Sequence, residues 1–434
     1  GASTFESLSS SLMLRKIAMH HYPSARSHFC RKVPALAFAI SAAYIRPVST
    51  TVMEAKKPKE CPSYGCPILP QDVYYDESIK DTLTDLRGKK REDVSADDLK
   101  GLESSGGKDM ATLTLIGYKG GSLESQINQD RSFCVSPYKI GSKDNAEGKI
   151  LGVFDGHANL GEKVSQYTVT ELPKLLASKL KKIDGEEEQV KTALTETFHE
   201  IDKTAPAEIS GGCTASVVLQ HGRKIYFANA GDSVSFLVVY RAQSQKAEVV
   251  YVTREDKPSL PEEQARVESM GGQVYIPARG TSRVLYTDPE TGMQSGLAMS
   301  RSIGDWEAGK VGVIPTPLVD VIDMPSLVEG QMSCQQIEGD GEMFVDIDCD
   351  SKDDVYVFAV SATDGMMDFA TPEIIAQTVA ISLYGEEGPH LLTALEQLIF
   401  MSAQGWQQSK GGRYRDDIAI VVSQLRIPPP PPKQ

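Results

Sequence analysis

With 434 residues, the chain is too long for one ordinary domain without tails and suits one large domain carrying extensions. A hydrophobic fraction of 40% supports a sizeable core, while a net charge of −14 repels phosphate backbones and anionic lipid, which excludes general nucleic-acid binding and disfavours docking on an anionic membrane. Seven cysteines, odd in number and scattered, make no disulfide framework of the secreted kind.

Residues 1–50 hold six basic residues (Arg15, Lys16, Arg26, Arg31, Lys32, Arg46), one acid, Glu6, and many serines. That is the composition of an organelle transit peptide, and equally of a disordered extension or of upstream sequence that is not native. The compartment therefore stays open between cytoplasm or nucleus and an organelle. The longest apolar run, VPALAFAISAAYI at 33–45, falls short of the roughly 20 residues a membrane span needs, so no stable membrane insertion is expected. Residues 51–108 read as a charged linker or arm, in which Cys61 and Cys66 are two thiols without the further ligands of a zinc site.

Residues 109–426 read as one mixed globular domain. KIYFANA (224–230), SFLVVY (235–240), AEVVYV (247–252) and VYVFAVSA (355–362) have strand character. Helical periodicity runs through 163–180, 188–201, 262–270, 372–384 and 391–404, with Thr371 as N-cap and Pro372 in a first turn. Adjacent strands without intervening helices predict an α+β fold of antiparallel sheets with helices on their outer faces. The acidic stretch 341–354 is expected as a hairpin with a polar face, since it lacks the glycine and glutamate of a calcium loop. Residues 427–434 form a proline-rich tail.

Several aspartates stand at strand ends: Asp155 after KILGVF, Asp232 after IYFANAG, Asp364 after VYVFAVSAT, Asp416 and Asp417 before IAIVV, and Asp130 before RSFCV. Any one is an ordinary turn residue. Five such junctions in one domain are different, because carboxylates converging from neighbouring strands repel unless a cation lies between them. Oxygen donors without a Cys/His cluster select a hard ion, Mg²⁺ or Mn²⁺. Two such ions about 4 Å apart can activate a shared water for in-line attack on phosphorus. His157, next to Asp155, is the candidate general acid for the leaving alkoxide.

The motifs NQDRSF (128–133), GVFDGHANLG (152–161), GGCTASVVL (211–219), FANAGDS (227–233), DKPSLPEEQARVESMGGQVY (256–275), GLAMSRSIGD (296–305), VSATDGMMD (360–368) and YRDDIAIVV (414–422) occur in one order. In that order the chain resembles the metal-dependent, type 2C serine/threonine protein phosphatases, most closely a plant and protist branch. The resemblance covers about residues 110–426. It implies two packed antiparallel sheets, a sandwich flanked by helices, and activity on phosphoprotein substrates; the sequence itself gives no sign of oligomerisation, and a monomer is expected. It further implies that Asp155 bridges two metals and that the Gly156 carbonyl binds one of them. Asp364 and Asp416 complete the second site, Asp130 holds metal-bound water or a metal, and Asp232 and Asp368 serve a third, weaker ion. The chain departs from the family at Gln129, where an acid is usual, and at Ser125, where a phosphate-clamping base is usual; Lys119 and Arg131 are the candidate substitutes. Ala158 and Val234 are further departures. Residues 276–296 correspond to a variable flap, whose Arg279, Arg283 and Tyr286 face the question of substrate choice. A phosphoprotein-binding pseudophosphatase and a phosphatase for small phosphate esters remain the alternatives.

Overall fold

The computed structural model describes residues 73–75, 89–90, 109–122, 125–139, 147–208, 210–287, 292–324, 342–343, 355–385 and 390–426, all within the unit Glu60–Gln434. The N-terminal segment, Cys61 and Cys66, most of the acidic stretch 341–354 and the proline tail lie outside the described residues.

The strands of the two principal sheets are β1 (Met110–Leu115), β2 (Arg131–Lys139), β3 (Glu147–Phe154), β4 (Ala215–His221), β5 (Lys224–Ala230), β6 (Val234–Arg241), β7 (Lys246–Val252), β8 (Leu318–Asp323), β9 (Val355–Ala362) and β10 (Ile418–Leu425). The first sheet runs Glu342–Met343, β7, β6, β9, β10, β1, Val73–Tyr75, Lys89–Lys90, and the second β8, β5, β4, β3, β2. The pairings between neighbours are antiparallel. Two short pieces of the segment read as a charged arm thus extend the first sheet. Val73–Tyr75 is β-branched and aromatic, and β1 offers it an edge of unpaired backbone groups.

Helices α1 (Gly161–Leu180) and α2 (Glu187–Thr204) cover the outer face of the second sheet; α4 (Pro372–Tyr384) and α5 (Leu391–Lys410) cover that of the first. A shorter helix, α3 (Pro261–Ser269), precedes the strands Gln273–Tyr275, Arg283–Thr287 and Gln294–Leu297, which form a small sheet over the flap region. The layers follow from alternation. On β2, Cys134 points between the sheets while Phe133 and Val135 point to α1 and α2. On α1, Leu172, Leu176 and Leu180 recur at helical spacing and are fully buried, each contributing roughly 1.5–3 kcal/mol. The Thr371 hydroxyl caps α4 by accepting from the Ile374 amide, with Pro372 in its first turn.

Between the sheets, the strand ends that carry the aspartates are lined by hydroxyls rather than hydrocarbon. Ser216 meets Ser235 at 2.7 Å, Ser235 meets Ser361 at 2.6 Å, and Thr214 meets Ser233 at 2.6 Å. Thr112 pairs Ser132, and Asn128 donates to Thr114. Ser361 bonds along its own sheet and the others bond between the sheets, so each of these hydroxyls has a partner.

Candidate active site

The apolar core of each strand runs out at the same end of the sandwich, and there the chain turns on an aspartate. Asp155 follows β3, Asp130 precedes β2, Asp232 lies between β5 and β6, Asp364 follows β9, and Asp416 precedes β10. Two glycines allow the turns to crowd together. A Cβ on Gly365 would meet the Asp417 carbonyl oxygen at 1.9 Å, and one on Gly156 would meet the Gln129 carbonyl oxygen at 2.5 Å. Any side chain at either position would push two aspartate-bearing turns apart.

The sequence-derived carboxylates all converge. Burial and the neighbouring charges of Asp130, Asp364, Asp416 and Asp232 push the Asp155 carboxyl well above its ordinary value. Asp130 is raised by burial and by Asp417, with the Thr363 hydroxyl, which donates to its Oδ2 at 2.7 Å, pulling the other way. Burial, then Asp232 and Asp416, lift Asp364 to about 7, against a hydrogen bond with Asp155. Asp130, Asp232 and Asp364 each keep a buried Oδ1 with no hydrogen-bond partner. Asp232 presents its other oxygen to Lys257, 2.6 Å away. Asp368 stands at the exposed edge.

The two adjacent aspartates before β10 divide their work. Asp417 is buried and turned to the backbone, accepting from the Gly117 amide at 2.5 Å and the Gln129 amide at 3.1 Å. Asp416 faces the basin and accepts from the Tyr414 hydroxyl at 2.8 Å. Gln129 is committed elsewhere. Its side-chain amide donates to the Ala158 carbonyl at 2.8 Å and to Glu162 at 3.3 Å.

His157 extends from the Asp155–Gly156 turn and holds Asp305 at 2.6 Å between Nε2 and Oδ2. Burial opposes its protonation, but the Asp305 carboxylate outweighs burial and raises the imidazole above its ordinary value. Asp305 also accepts from the Ser302 hydroxyl at 2.7 Å. Sequence reasoning missed Asp305 and Lys257. The motif ends GLAMSRSIGD and DKP contained both residues, but only the folded chain brings them to His157 and Asp232.

Among the described residues no three acidic, thiol or imidazole side chains already cage a single point. The donors nonetheless fit a hard divalent cation: they are carboxylate oxygens, several buried and unpartnered, held against mutual repulsion. Asp130, Asp155, Asp364 and Asp416 are the side chains that would hold such ions.

The family model for protein phosphatase 2C matches residues 117–380, more than half of the chain. A protein of Oryza sativa subsp. japonica named "Probable protein phosphatase 2C 48" is 26% identical over 332 residues, spanning 70% of this chain and 82% of the relative. The bovine "Integrin-linked kinase-associated serine/threonine phosphatase 2C" is 33% identical over 176 residues, 38% of this chain and 43% of the relative. The crystal structure of a serine-threonine phosphatase 2C from Toxoplasma gondii superposes with a TM-score of 0.51 at 18% identity, covering 73% of this chain and 95% of that one; it shares the fold of packed antiparallel sheets and helices.

Proposed function

The chain belongs to the protein phosphatase 2C family, and from that premise we propose that it is a metal-dependent serine/threonine protein phosphatase whose carboxylate basin takes two Mg²⁺ or Mn²⁺ ions. The observation that carries the reading is the set of buried, unpartnered carboxylate oxygens on Asp130, Asp232 and Asp364, beside an Asp155 crowded by like charges. Asp155 would serve both ions, with the Gly156 carbonyl on one and Asp364 and Asp416 on the other. Asp130 would bind directly or through water, and Thr363 fixes its orientation. Bound there, the ions supply an activated water and offset charge on the phosphoryl oxygens.

The remaining work falls to side chains. His157, whose imidazole Asp305 raises above its ordinary value against burial, is the donor to the leaving serine or threonine oxygen. Asp232 offers a third, weaker ion only its Oδ1, because Lys257 occupies its other oxygen. Phosphoproteins are the substrates, approached past the flap.

A Mn²⁺-titrated assay on a phosphothreonine peptide tests the reading. Activity should rise with Mn²⁺, vanish in EDTA, and fall about a thousandfold in Asp364→Asn, the loss expected when a charge-stabilising group leaves a water-excluded site. Full turnover in EDTA would overturn the metal reading. Mn²⁺ binding without turnover on any phosphate ester would leave a scaffold.

A further inference from the structure

Resting on that reading of the basin, we propose that Lys119 grips the substrate's phosphoryl group, taking over from the base that the family carries where this chain has Ser125.

Ser125 has no charge to offer, and its hydroxyl is committed to the Ser122 carbonyl at 2.7 Å. Arg131 is held by three bonds. Its NH1 donates to the carbonyls of Asn128 and Asp130 at 3.0 and 2.7 Å, and its Nε to Gln166 at 2.8 Å. These three bonds fix the guanidinium as a brace for the entry to β2 and turn its Nε and NH1 to the protein rather than to the basin.

Lys119 differs on each point. Its Nζ lies 3.1 Å from Asp416 and 3.2 Å from Asp417, and Asp155 and Asp130 are close enough to act on its charge. Its side chain is 37% exposed, so the ammonium stands at the mouth of the basin rather than inside it. An ammonium has three donors. Two are directed at Asp416 and Asp417, which leaves one for a phosphoryl oxygen. A phosphate dianion entering a ring of carboxylates is repelled, and a fixed cation at the rim works against that repulsion while orienting the ester.

The backbone beneath Lys119 is tied down on both sides. Tyr118 and Arg415 exchange two backbone hydrogen bonds, 2.7 and 2.8 Å, tying the segment to the turn that carries Asp416. The chain then bends at Gly120 and Gly121. Gln126 closes the loop by accepting from the Lys119 amide at 2.8 Å and donating to the carbonyls of Gly120 and Ser122 at 2.6 and 2.9 Å. Gln126 thus stitches the segment together and fixes the base of the Lys119 side chain. The rival cation, Lys257, is tied to Asp232 at 2.6 Å.

The experiment uses the full chain with saturating Mn²⁺ and inorganic phosphate as the probe. Calorimetry gives phosphate affinity and, separately, Mn²⁺ affinity for wild type, Lys119→Gln, Lys119→Arg and Lys257→Gln; kcat and KM are measured on the phosphothreonine peptide. Loss of one charge-assisted contact predicts phosphate binding weakened roughly tenfold or more in Lys119→Gln, with KM raised in step and kcat changed less. Lys119→Arg should stay within about threefold of wild type, because the charge persists. Mn²⁺ affinity should hold or tighten, since a cation has been removed from beside Asp416. Unchanged phosphate affinity in Lys119→Gln overturns the proposal. So does an equal or larger loss in Lys257→Gln, or a parallel collapse of Mn²⁺ affinity, which would make Lys119 a brace for the carboxylates. A wild-type protein that takes up no Mn²⁺ overturns the cation reading, and this proposal with it.

Discussion

Among the described residues, two clusters of charge drawn away from solvent are built on opposite terms. In the first, Glu263 on α3 accepts from Arg301 at 2.6 Å, Arg266 at 2.6 Å, Arg254 at 3.0 Å and the Ser300 hydroxyl at 2.5 Å. Burial pushes Glu263 up, yet these donors outweigh it and hold the carboxyl well below its usual range. The second cluster is the basin around Asp155, where burial and like charges act in the same direction on Asp130, Asp155 and Asp364, and Asp130 and Asp364 each keep an unpartnered oxygen. Glu263 is fully buried, Asp155, Asp364 and Asp416 are half-buried, and both clusters are rich in acids. The difference is saturation. A saturated network ties the flap-bearing segment to the sheets, while an unsaturated one stores affinity for a ligand that brings positive charge.

The sharpest test removes one carboxylate from each cluster and compares stability in the metal-free protein. Glu263→Gln strips the shared acceptor from three arginines and should cost about 3–5 kcal/mol, the usual consequence of breaking a buried ion network from one side. Asp364→Asn should do the reverse and stabilise by about 1–2 kcal/mol, because it removes a charge that burial and its neighbours disfavour. Urea unfolding in EDTA measures both. If the two variants move in the same direction, the contrast between the clusters is false.

How much of this was legible beforehand follows from what each feature depends on. The strand-end aspartates were visible because an apolar run bounded by an aspartate is a local pattern, and five such junctions imply convergence. Helix α4 was visible from Thr371, Pro372 and its periodicity, and the observed helix spans Pro372–Tyr384. The saturated network was not, because Glu263 and Arg301 are 38 residues apart and each reads locally as surface charge. The contact of Asp305 with His157 spans 148 residues and was hidden for the same reason. The hydroxyl seam between the sheets was also invisible, since Ser216, Ser235 and Ser361 look like polar interruptions of apolar strands until the sandwich faces them at one another. The division between Asp416 and Asp417 needed the Gly117 and Gln129 amides, which come from a distant strand entry.

A pH series separates the clusters further. Carboxyls whose folded values lie above their unfolded ones bind more protons when folded, so stability is greatest at low pH and falls as pH rises. Asp130, Asp155 and Asp364 are raised in this way, and the window opens near pH 4, where unfolded aspartates ionise, and extends to about 7, the value for Asp364. Asp256, lifted by burial to about 6 despite Arg301 and Arg254, contributes the same sign. His157, raised by Asp305, adds stability present below its unfolded value and lost as pH climbs through the folded one. Glu263 is depressed, so its contribution is present above its unfolded value and lost only in more acid solution, below this window. Metal-free protein should therefore lose about 4 kcal/mol or more between pH 5 and pH 7.5, at roughly 1.4 kcal/mol for each pH unit over which Asp364 and Asp256 stay protonated in the fold but ionised in the unfolded chain. Saturating Mn²⁺ should flatten the part due to the basin and leave that of Asp256. A slope indifferent to Mn²⁺ would place the titrating groups elsewhere.

The smallest expected effect concerns the rim of the saturated cluster. Arg254 also pairs Glu262, which is 53% exposed, whereas Glu263 one residue later is 0% exposed. The two glutamates are adjacent on α3 and share an arginine, so they isolate burial as the variable. Glu262 trades its partner for water at little cost, and salt screens what remains. Arg254 keeps Asp256 at 2.8 Å and Glu263 at 3.0 Å when Glu262 is gone. Glu262→Gln should therefore change unfolding stability by no more than about 0.5 kcal/mol, with even that difference fading in high salt. A loss comparable to that of Glu263→Gln would mean that the network depends on its exposed member, and saturation by buried arginines would no longer explain why this cluster is structural while the basin is not.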